Sequence, residues 1–124
     1  MEQTVGAISW RDLTVDNADD VSQFYAAVTG WELEPLSMGE YNDYLMKSPI
    51  TKEPVAGVCH ARGVNQQLPP QWLMYVTVAN LDESLKKASE LGGEILGDKR
   101  SMGEAGFYCL VQDPAGAYVM LCGK

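Results

Sequence analysis

Few side chains in this sequence belong to the types that usually carry out chemistry. His60 is the only histidine, and it directly follows Cys59. Adjacent strand residues point to opposite faces of a sheet, so this cysteine and histidine are not expected to act together as nucleophile and base. The sequence contains no Gly-rich phosphate loop, no GxSxG motif and no HExxH motif. Nucleophilic catalysis is therefore not expected.

Asp12 is the most distinctive acidic residue, because it lies among apolar residues in a strand-like pattern. Alternation places Trp10, Asp12 and Thr14 on one face of that strand and Arg11 on the other. A carboxylate in this setting needs a partner or solvent. Two interpretations stay open: Asp12 lies at the wet end of the strand, or it orients a ligand or serves as a base with a raised pKa.

The composition limits the classes of partner. The chain has 124 residues, which predicts one domain, and nine basic against seventeen acidic residues give a net charge of −8. Such a surface repels nucleic acid and anionic membranes, so neither is expected as a partner. The same charge favours a cationic ligand over an anionic one, although solubility alone also explains it.

The cysteines and the N-terminus predict a cytoplasmic protein. Cys59, Cys109 and Cys122 lie in apolar stretches without a disulfide-framework spacing, which indicates buried, reduced thiols. Glu2 and the lack of a following apolar segment argue against a signal peptide. No apolar run approaches the length of a transmembrane helix.

The elements that must position these residues follow an α+β pattern. The first half predicts strands at residues 6–15, 31–36, 41–47 and 55–61, with a helix capped by Asn17 and ended by Gly30. The second half predicts a strand at 72–78, a helix capped by Asn80, a strand from residue 94 and a final hairpin around Asp113-Pro114-Ala115-Gly116. The apolar helix faces are predicted to consist of Val21, Phe24, Tyr25 and Val28, and of Leu81, Leu85, Ala88 and Leu91.

The two halves resemble each other at an offset of about 63 residues. Asn17 corresponds to Asn80, and Gly30 corresponds to Gly93. We therefore predict a single domain, residues 1–124, made of two βαβββ modules at about 1–62 and 70–124. Residues 62–70, which end in Leu-Pro-Pro, form the linker. Two curled half-sheets facing each other are expected to form a cupped mixed sheet around a cleft.

These features together resemble the glyoxalase/bleomycin resistance protein/extradiol dioxygenase superfamily, also called vicinal oxygen chelate. The resemblance rests on the strand ending at Val15, Phe24-Tyr25 in the helix, Gly30-Trp31 and Asp113-Pro114-Ala115-Gly116. It implies paired βαβββ modules around a ligand, and in the enzymes a divalent metal held by His and Glu. It also implies a homodimer.

The metal ligands implied by the resemblance are absent from the matching positions. The histidine positions, seven residues before Asn17 and Asn80, hold Trp10 and Leu73, and the glutamate position holds Met120. Indole, isobutyl and thioether groups are poor ligands for such metals. A fourth position near Val58 to His60 cannot be aligned. We therefore expect no metal and no other cofactor.

Alternation predicts an inner lining of aromatic and aliphatic side chains with a few polar groups, and His60 is a further candidate. We predict ligand binding by Trp10, Asp12, Thr14, His60, Tyr75, Tyr118 and Met120. Three functions stay open: a metal-free protein that binds a partly aromatic or cationic molecule, a metal-dependent lyase, isomerase or dioxygenase, and an interaction domain whose cup is filled by Trp10 and Met120. The first is preferred.

Overall fold

A computed structural model of the protein describes residues 4–124 and, within them, every side chain except that of Val64. Glu2, used above in the signal-peptide argument, lies outside the described residues. Eight strands and two helices confirm the α+β class, and both halves have the predicted order of strand, helix and three strands. The elements are β1 (Ile8–Val15), α1 (Ala18–Thr29), β2 (Glu32–Ser37), β3 (Asn42–Lys47), β4 (Pro54–His60), β5 (Trp72–Thr77), α2 (Leu81–Glu90), β6 (Glu94–Ser101), β7 (Phe107–Gln112) and β8 (Tyr118–Gly123).

The residues group into two compact units. The N-terminal unit is Arg11–Trp72, and the C-terminal unit is Leu73–Lys124 together with the residues up to Trp10. Strand β1 therefore contributes its last residues to the N-terminal unit and its first residues to the C-terminal unit. The division into modules at about 1–62 and 70–124 with a linker between them stays a prediction.

The N-terminal unit has the strand order β2-β3-β4-β1, with β4 and β1 parallel and the other pairs antiparallel. Helix α1 covers one face of this sheet. Its Ala18 forms a buried cluster with Met46, Ala56 and Val58. Burying these side chains removes apolar surface from water and holds the helix against the strands.

The predicted apolar face of α1 is partly wrong. Phe24 and Val28 are 57% and 62% exposed. The helix instead turns its small residues Ala18 and Ser22, both fully buried, toward the sheet, with Ala26 packed against the same core. Small side chains let the helix lie close to the strands, and this rotates Phe24 and Val28 away from them.

The C-terminal unit has the strand order β5-β8-β7-β6, with β5 and β8 parallel. The predicted hairpin is confirmed, since β7 and β8 pair from Gln112 opposite Tyr118 to Phe107 opposite Gly123. Its loop is held by Asp113, whose Oδ1 accepts hydrogen bonds from the N–H groups of Ala115 and Ala117 at 2.8 and 3.0 Å. These hydrogen bonds from a side chain to the backbone form a turn, and the turn fixes the pairing register of β7 and β8.

The caps of the two helices differ. The Asn80 side chain accepts a hydrogen bond from the Glu83 N–H at 3.0 Å, as predicted, whereas the Asn17 side chain makes no capping bond. Gly30 ends α1 in the left-handed conformation at φ 83°, which glycine adopts without a steric penalty.

Helix α2 covers the face of the C-terminal sheet that carries Phe107. Lys99 connects the helix to this face, because its Nζ lies 2.8 Å from Asp82 of α2 and 4.8 Å from the centre of the Phe107 ring. Leu81 is buried, but Leu91, predicted to belong to the apolar stripe, is 76% exposed because the helix ends before it. No helix within residues 4–124 is long and apolar enough to cross a bilayer.

Candidate functional site

Three half-buried tyrosines share one face of the C-terminal sheet, which we call the tyrosine face. Tyr75 lies opposite Met120, and Tyr108 and Tyr118 follow the same alternation on β7 and β8. The Tyr75 and Tyr108 ring centres are 6.2 Å apart. Met120 lies among them and is 2% exposed. Alternation puts this face opposite to Phe107, the side covered by α2.

A cavity of about 650 Å³ lies within the C-terminal unit, near the ends of β5 and β8. This volume falls within the range of small-molecule pockets, about 300 to 1,000 Å³. Thr77 and Cys122 form part of its wall. They are paired with each other and lie two residues beyond Tyr75 and Met120, so the cavity wall continues the tyrosine face.

The cavity wall combines apolar and weakly polar groups. Ser9 Oγ lies 3.7 Å from Cys122 Sγ, and Thr77 Oγ1 lies 3.9 Å from the same sulfur. Ser9 Oγ also donates a hydrogen bond to the Tyr75 carbonyl at 3.3 Å. Hydroxyl and thiol groups can turn to donate to, or accept from, a neutral ligand group. The rest of the wall includes Val5, Met102 and the exposed carboxylate of Glu104.

Asp12 and Thr14 lie together on the N-terminal sheet, on the face opposite α1. They pair with Gly57 and Cys59 of β4, and paired residues share a face. Asp12 is half-buried and Thr14 is 3% exposed. The structure thus brings together two of the predicted ligand-binding residues in this unit, with the Cys59 thiol beside them.

The pKa of the Cys59 thiol is raised well above its ordinary value. Burial is the largest cause, because it disfavours the thiolate. The carboxylates of Asp12 and Asp43 raise the pKa further through repulsion, and a hydrogen bond to Asp43 acts in the same direction. Cys59 is therefore a protonated, weakly nucleophilic group at neutral pH.

His60 lies on the other face of the same sheet, with Val58 and beneath α1. It pairs with Val15, and this pair comes directly after the pair of Thr14 and Cys59, so the two pairs point to opposite faces. The ring is 9% exposed and packs edge-to-face against Tyr41 at 5.2 Å. The register of β1 and β4 therefore separates His60 from Asp12 and Thr14.

Two carboxylates flank the His60 ring. Asp43 Oδ1 lies 3.6 Å from Nδ1 and accepts the His60 backbone N–H at 2.8 Å. Asp19 Oδ1 lies 3.8 Å from Nε2. Nδ1 is buried and has no hydrogen-bond partner among the described residues. The two carboxylates approach different ring nitrogens, so one metal ion could not use this set as a compact ligand group.

Asp19 also accepts a hydrogen bond from the Tyr44 hydroxyl. This hydrogen bond is the main reason why the pKa of Tyr44 is raised to about 12, with burial and the negative charges of Asp19 and Asp43 adding to the shift. The phenol is therefore neutral at physiological pH and holds α1 to β3.

The side chains at the positions where the resemblance implies metal ligands do not suit a metal. Leu73 is fully buried and apolar, Met120 presents a buried thioether, and Trp10 is a half-buried indole. None of these offers an imidazole or carboxylate. In the part of the chain from residue 4 onward, no group of three or more His, Cys, Asp or Glu side chains could hold a metal ion.

Sequence reasoning missed several residues of the tyrosine face and the cavity. The hairpin register could have identified Tyr108, because counting back from the Asp113 turn pairs it with Cys122. Ser9 and Glu104 had no comparable signal, since the cavity brings together segments that are far apart in the sequence. None of the seven predicted binding residues is part of the cavity wall described above.

Comparison with known proteins identifies the family. A sequence model described as the glyoxalase-like domain matches residues 12–122. The chain is 26% identical over 121 residues to the protein named "Putative glyoxylase CFP32" of Mycobacterium bovis, and equally to that of Mycobacterium tuberculosis. The match covers 97% of this chain and 46% of each relative. The chain thus spans about half the length of the curated relatives it matches.

Solved structures share the fold. A variant of Streptomyces coelicolor methylmalonyl-CoA epimerase in complex with 2-nitronate-propionyl-CoA is 14% identical, with a TM-score of 0.58 and coverage of 98% of this chain and 96% of that one. A glyoxalase/bleomycin resistance protein/dioxygenase superfamily member from Vibrio splendidus is 13% identical, with a TM-score of 0.60 and coverage of 93% and 97%. The predicted superfamily is confirmed, and the chain belongs to the glyoxalase-like domain family.

Proposed function

We propose that this protein binds a small, partly aromatic or cationic organic molecule without transforming it, to sequester or sense it. The observation that carries this proposal is the tyrosine face, where three half-buried aromatic rings share one side of the sheet. Two of them lie next to residues in the wall of the cavity of about 650 Å³, because Tyr108 is opposite Cys122 and Tyr75 is two residues from Thr77. Flat ligands gain from stacking on such rings, by about 0.5 to 1.5 kcal/mol per aromatic pair beyond the buried area.

The polar groups support an oriented ligand. Ser9 and Thr77 hydroxyls can accept or donate a hydrogen bond inside the cavity, and the carboxylate of Glu104 suits a cationic substituent. The net charge of −8 favours the approach of a cation. Trp10, Asp12 and Thr14 stay predicted binding residues, whereas His60 lies on the other face of its sheet from Asp12 and Thr14 and is not expected to contact the same ligand.

A thermal-shift screen against small aromatic and cationic metabolites and antibiotics tests this proposal. A ligand that binds only the folded protein raises the melting temperature, and at 100 times its Kd it adds about 2.7 kcal/mol of stability. We expect at least one hit whose shift is lost in Tyr75→Leu and Tyr108→Leu and kept in Tyr41→Leu. A screen without hits, or hits that survive both tyrosine replacements, would contradict the proposal. Replacing Trp10 and Asp12 in the same assay tests their predicted roles.

The proposal includes a metal-free site, a cytoplasmic location and a homodimer. Trp10, Leu73 and Met120 support the first, and the free thiols of Cys59, Cys109 and Cys122 support the second. The homodimer rests on the family resemblance. Sedimentation at micromolar concentration should show a species of twice the 13.6 kDa chain mass, and a monomer alone would contradict it.

An interaction domain is the second candidate. Leu73 and Met120 are 0% and 2% exposed, as expected if the sheet face is filled by its own side chains. This function predicts that no small molecule raises the melting temperature and that a macromolecular partner does. The same screen therefore separates the two candidates.

A further inference from the structure

Arg100 lies at one end of the tyrosine face. It is directly opposite Tyr108 in the antiparallel pair of β6 and β7, and opposite residues share a face. The pairing is irregular between Leu96 and Arg100, and Gly97 adopts φ 80° in this interval. Because of this irregularity, strict alternation counted from the first residues of β6 does not give the face on which Arg100 lies. The pairing register shows instead that a row of Arg100, Tyr108 and Cys122 runs across three strands.

The Arg100 guanidinium has no ion-pair partner among residues 4–124. In contrast, Lys47, Lys52 and Lys99 each lie within 2.8 to 2.9 Å of an acidic side chain. Arg100 is only half-exposed, and its guanidinium offers five N–H donors in a fixed fork. A half-buried arginine that lies opposite Tyr108 in the strand register and lacks a carboxylate partner is suited to receive one from a ligand.

We infer that Arg100 binds an anionic group of the ligand and that the ligand is a small aromatic acid, with a carboxylate as the anionic group. This inference rests on the proposed function and takes the aromatic ligand, not the cationic one, from that proposal. Directly opposite side chains on antiparallel strands begin about 5 Å apart at Cβ. A ring stacked on Tyr108 and Tyr75 therefore lies close enough for its carboxylate to reach the guanidinium in a two-pronged hydrogen bond.

The net charge of −8 does not oppose this assignment at contact distance. Exposed charges farther apart than about 8 Å are largely screened at physiological ionic strength. A two-pronged contact between guanidinium and carboxylate is shorter than 3 Å and is little affected by screening. The acidic residue nearest in the chain, Asp98, is exposed to solvent, and Glu104 lies at the cavity. The local arginine therefore decides the charge preference at this end of the face.

Calorimetry with three matched probes tests the inference. Phenylacetate, phenylacetamide and phenethylamine share an aromatic ring on a short chain and carry charges of −1, 0 and +1. We expect phenylacetate to bind the wild-type protein most tightly. Arg100→Gln should weaken phenylacetate about tenfold, which equals about 1.4 kcal/mol, and should leave phenylacetamide within about twofold. Arg62→Gln, which removes an arginine lying 4.4 Å from the Tyr41 ring centre, is the matched control and should change neither affinity.

The outcomes separate the inference from the function on which it rests. If all three probes bind but phenylacetate has no advantage, or if Arg100→Gln weakens phenylacetamide equally, the role of Arg100 is wrong and aromatic binding stands. If phenethylamine binds most tightly, the cationic form of the proposed function is favoured and the inference is overturned. If none of the probes binds at millimolar concentration while circular dichroism shows a folded protein, both the inference and the aromatic form of the function fail.

Discussion

Tyr75 in β5 and Met120 in β8 are direct neighbours in parallel register, and both lie on the tyrosine face. Tyr75 is half-buried, whereas Met120 is 2% exposed. Met120, at the position where the family resemblance implies a metal-binding glutamate, thus packs beneath the aromatic rings of this face.

Met120→Ala should destabilise the protein strongly. Removing a buried methionine side chain leaves a cavity and typically costs about 2 to 5 kcal/mol. Met74→Ala in the adjacent strand β5 is the matched control, because Met74 is 43% exposed and its replacement should change stability by about 0.5 kcal/mol or less. Urea denaturation of both variants measures the difference. Equal, small effects would show that Met120 does not support the tyrosine face.

The contribution of Tyr44 to stability should depend on alkaline pH. Its pKa is raised from the ordinary 10.0 to about 12, mainly by the hydrogen bond to Asp19. A raised folded-state pKa gives stability that is fully present below pH 10 and is lost as the pH rises toward 12. The stability gap between the wild type and Tyr44→Phe should therefore be largest at pH 9 and shrink above pH 10. A gap that stays constant from pH 9 to pH 11.5 would contradict this assignment.

Cys59 should react slowly with iodoacetamide at pH 8.5. Only the thiolate reacts, and burial together with Asp12 and Asp43 raises the pKa of this thiol. Asp12→Asn removes one negative charge, lowers the Cys59 pKa and should speed alkylation, while burial keeps the rate below that of a free cysteine. Peptide mapping by mass spectrometry distinguishes Cys59 from the other two cysteines. In Asp98→Asn, the control, the Cys59 rate should be unchanged and that of Cys109 should rise, because the Cys109 pKa is raised mainly by burial and further by the charge of Asp98.

Purified protein should contain no stoichiometric divalent metal. Trp10, Leu73 and Met120 supply no imidazole or carboxylate at the positions where the family resemblance implies metal ligands. Metal analysis after purification without chelator is the measurement, with a His60→Asn variant in parallel. One equivalent of a divalent ion that is lost on replacing His60 would contradict the metal-free site.

Local chemistry made much of the fold predictable. Asn80 and Gly30 mark helix ends through hydrogen bonding and backbone conformation, and Asp113 fixes the final hairpin. The face on which His60 lies could not be predicted in this way, because it depends on the register between β1 and β4, which are far apart in the sequence. Arg100 could not be assigned to a face by alternation, because the irregularity at Gly97 breaks it.

The candidate site was predicted only in part for the same reason. Tyr75, Tyr118 and Met120 were placed together correctly by strand alternation and pairing. The cavity depends on Ser9, Thr77 and the segment around Glu104, which only the folded chain brings together. Such non-local contacts leave no periodic signal in the sequence.

The six tyrosines allow the central claim, ligand binding on the tyrosine face, to be tested in one measurement. Three lie in each unit, so ¹³C-tyrosine-labelled protein provides binding-site and control signals together. The protein is titrated with the strongest thermal-shift hit and followed by NMR, with single Tyr→Phe variants to assign the signals. We expect the signals of Tyr75, Tyr108 and Tyr118 to shift, while those of Tyr25, Tyr41 and Tyr44 do not. Shifts confined to the second set, or equal shifts in both, would contradict it.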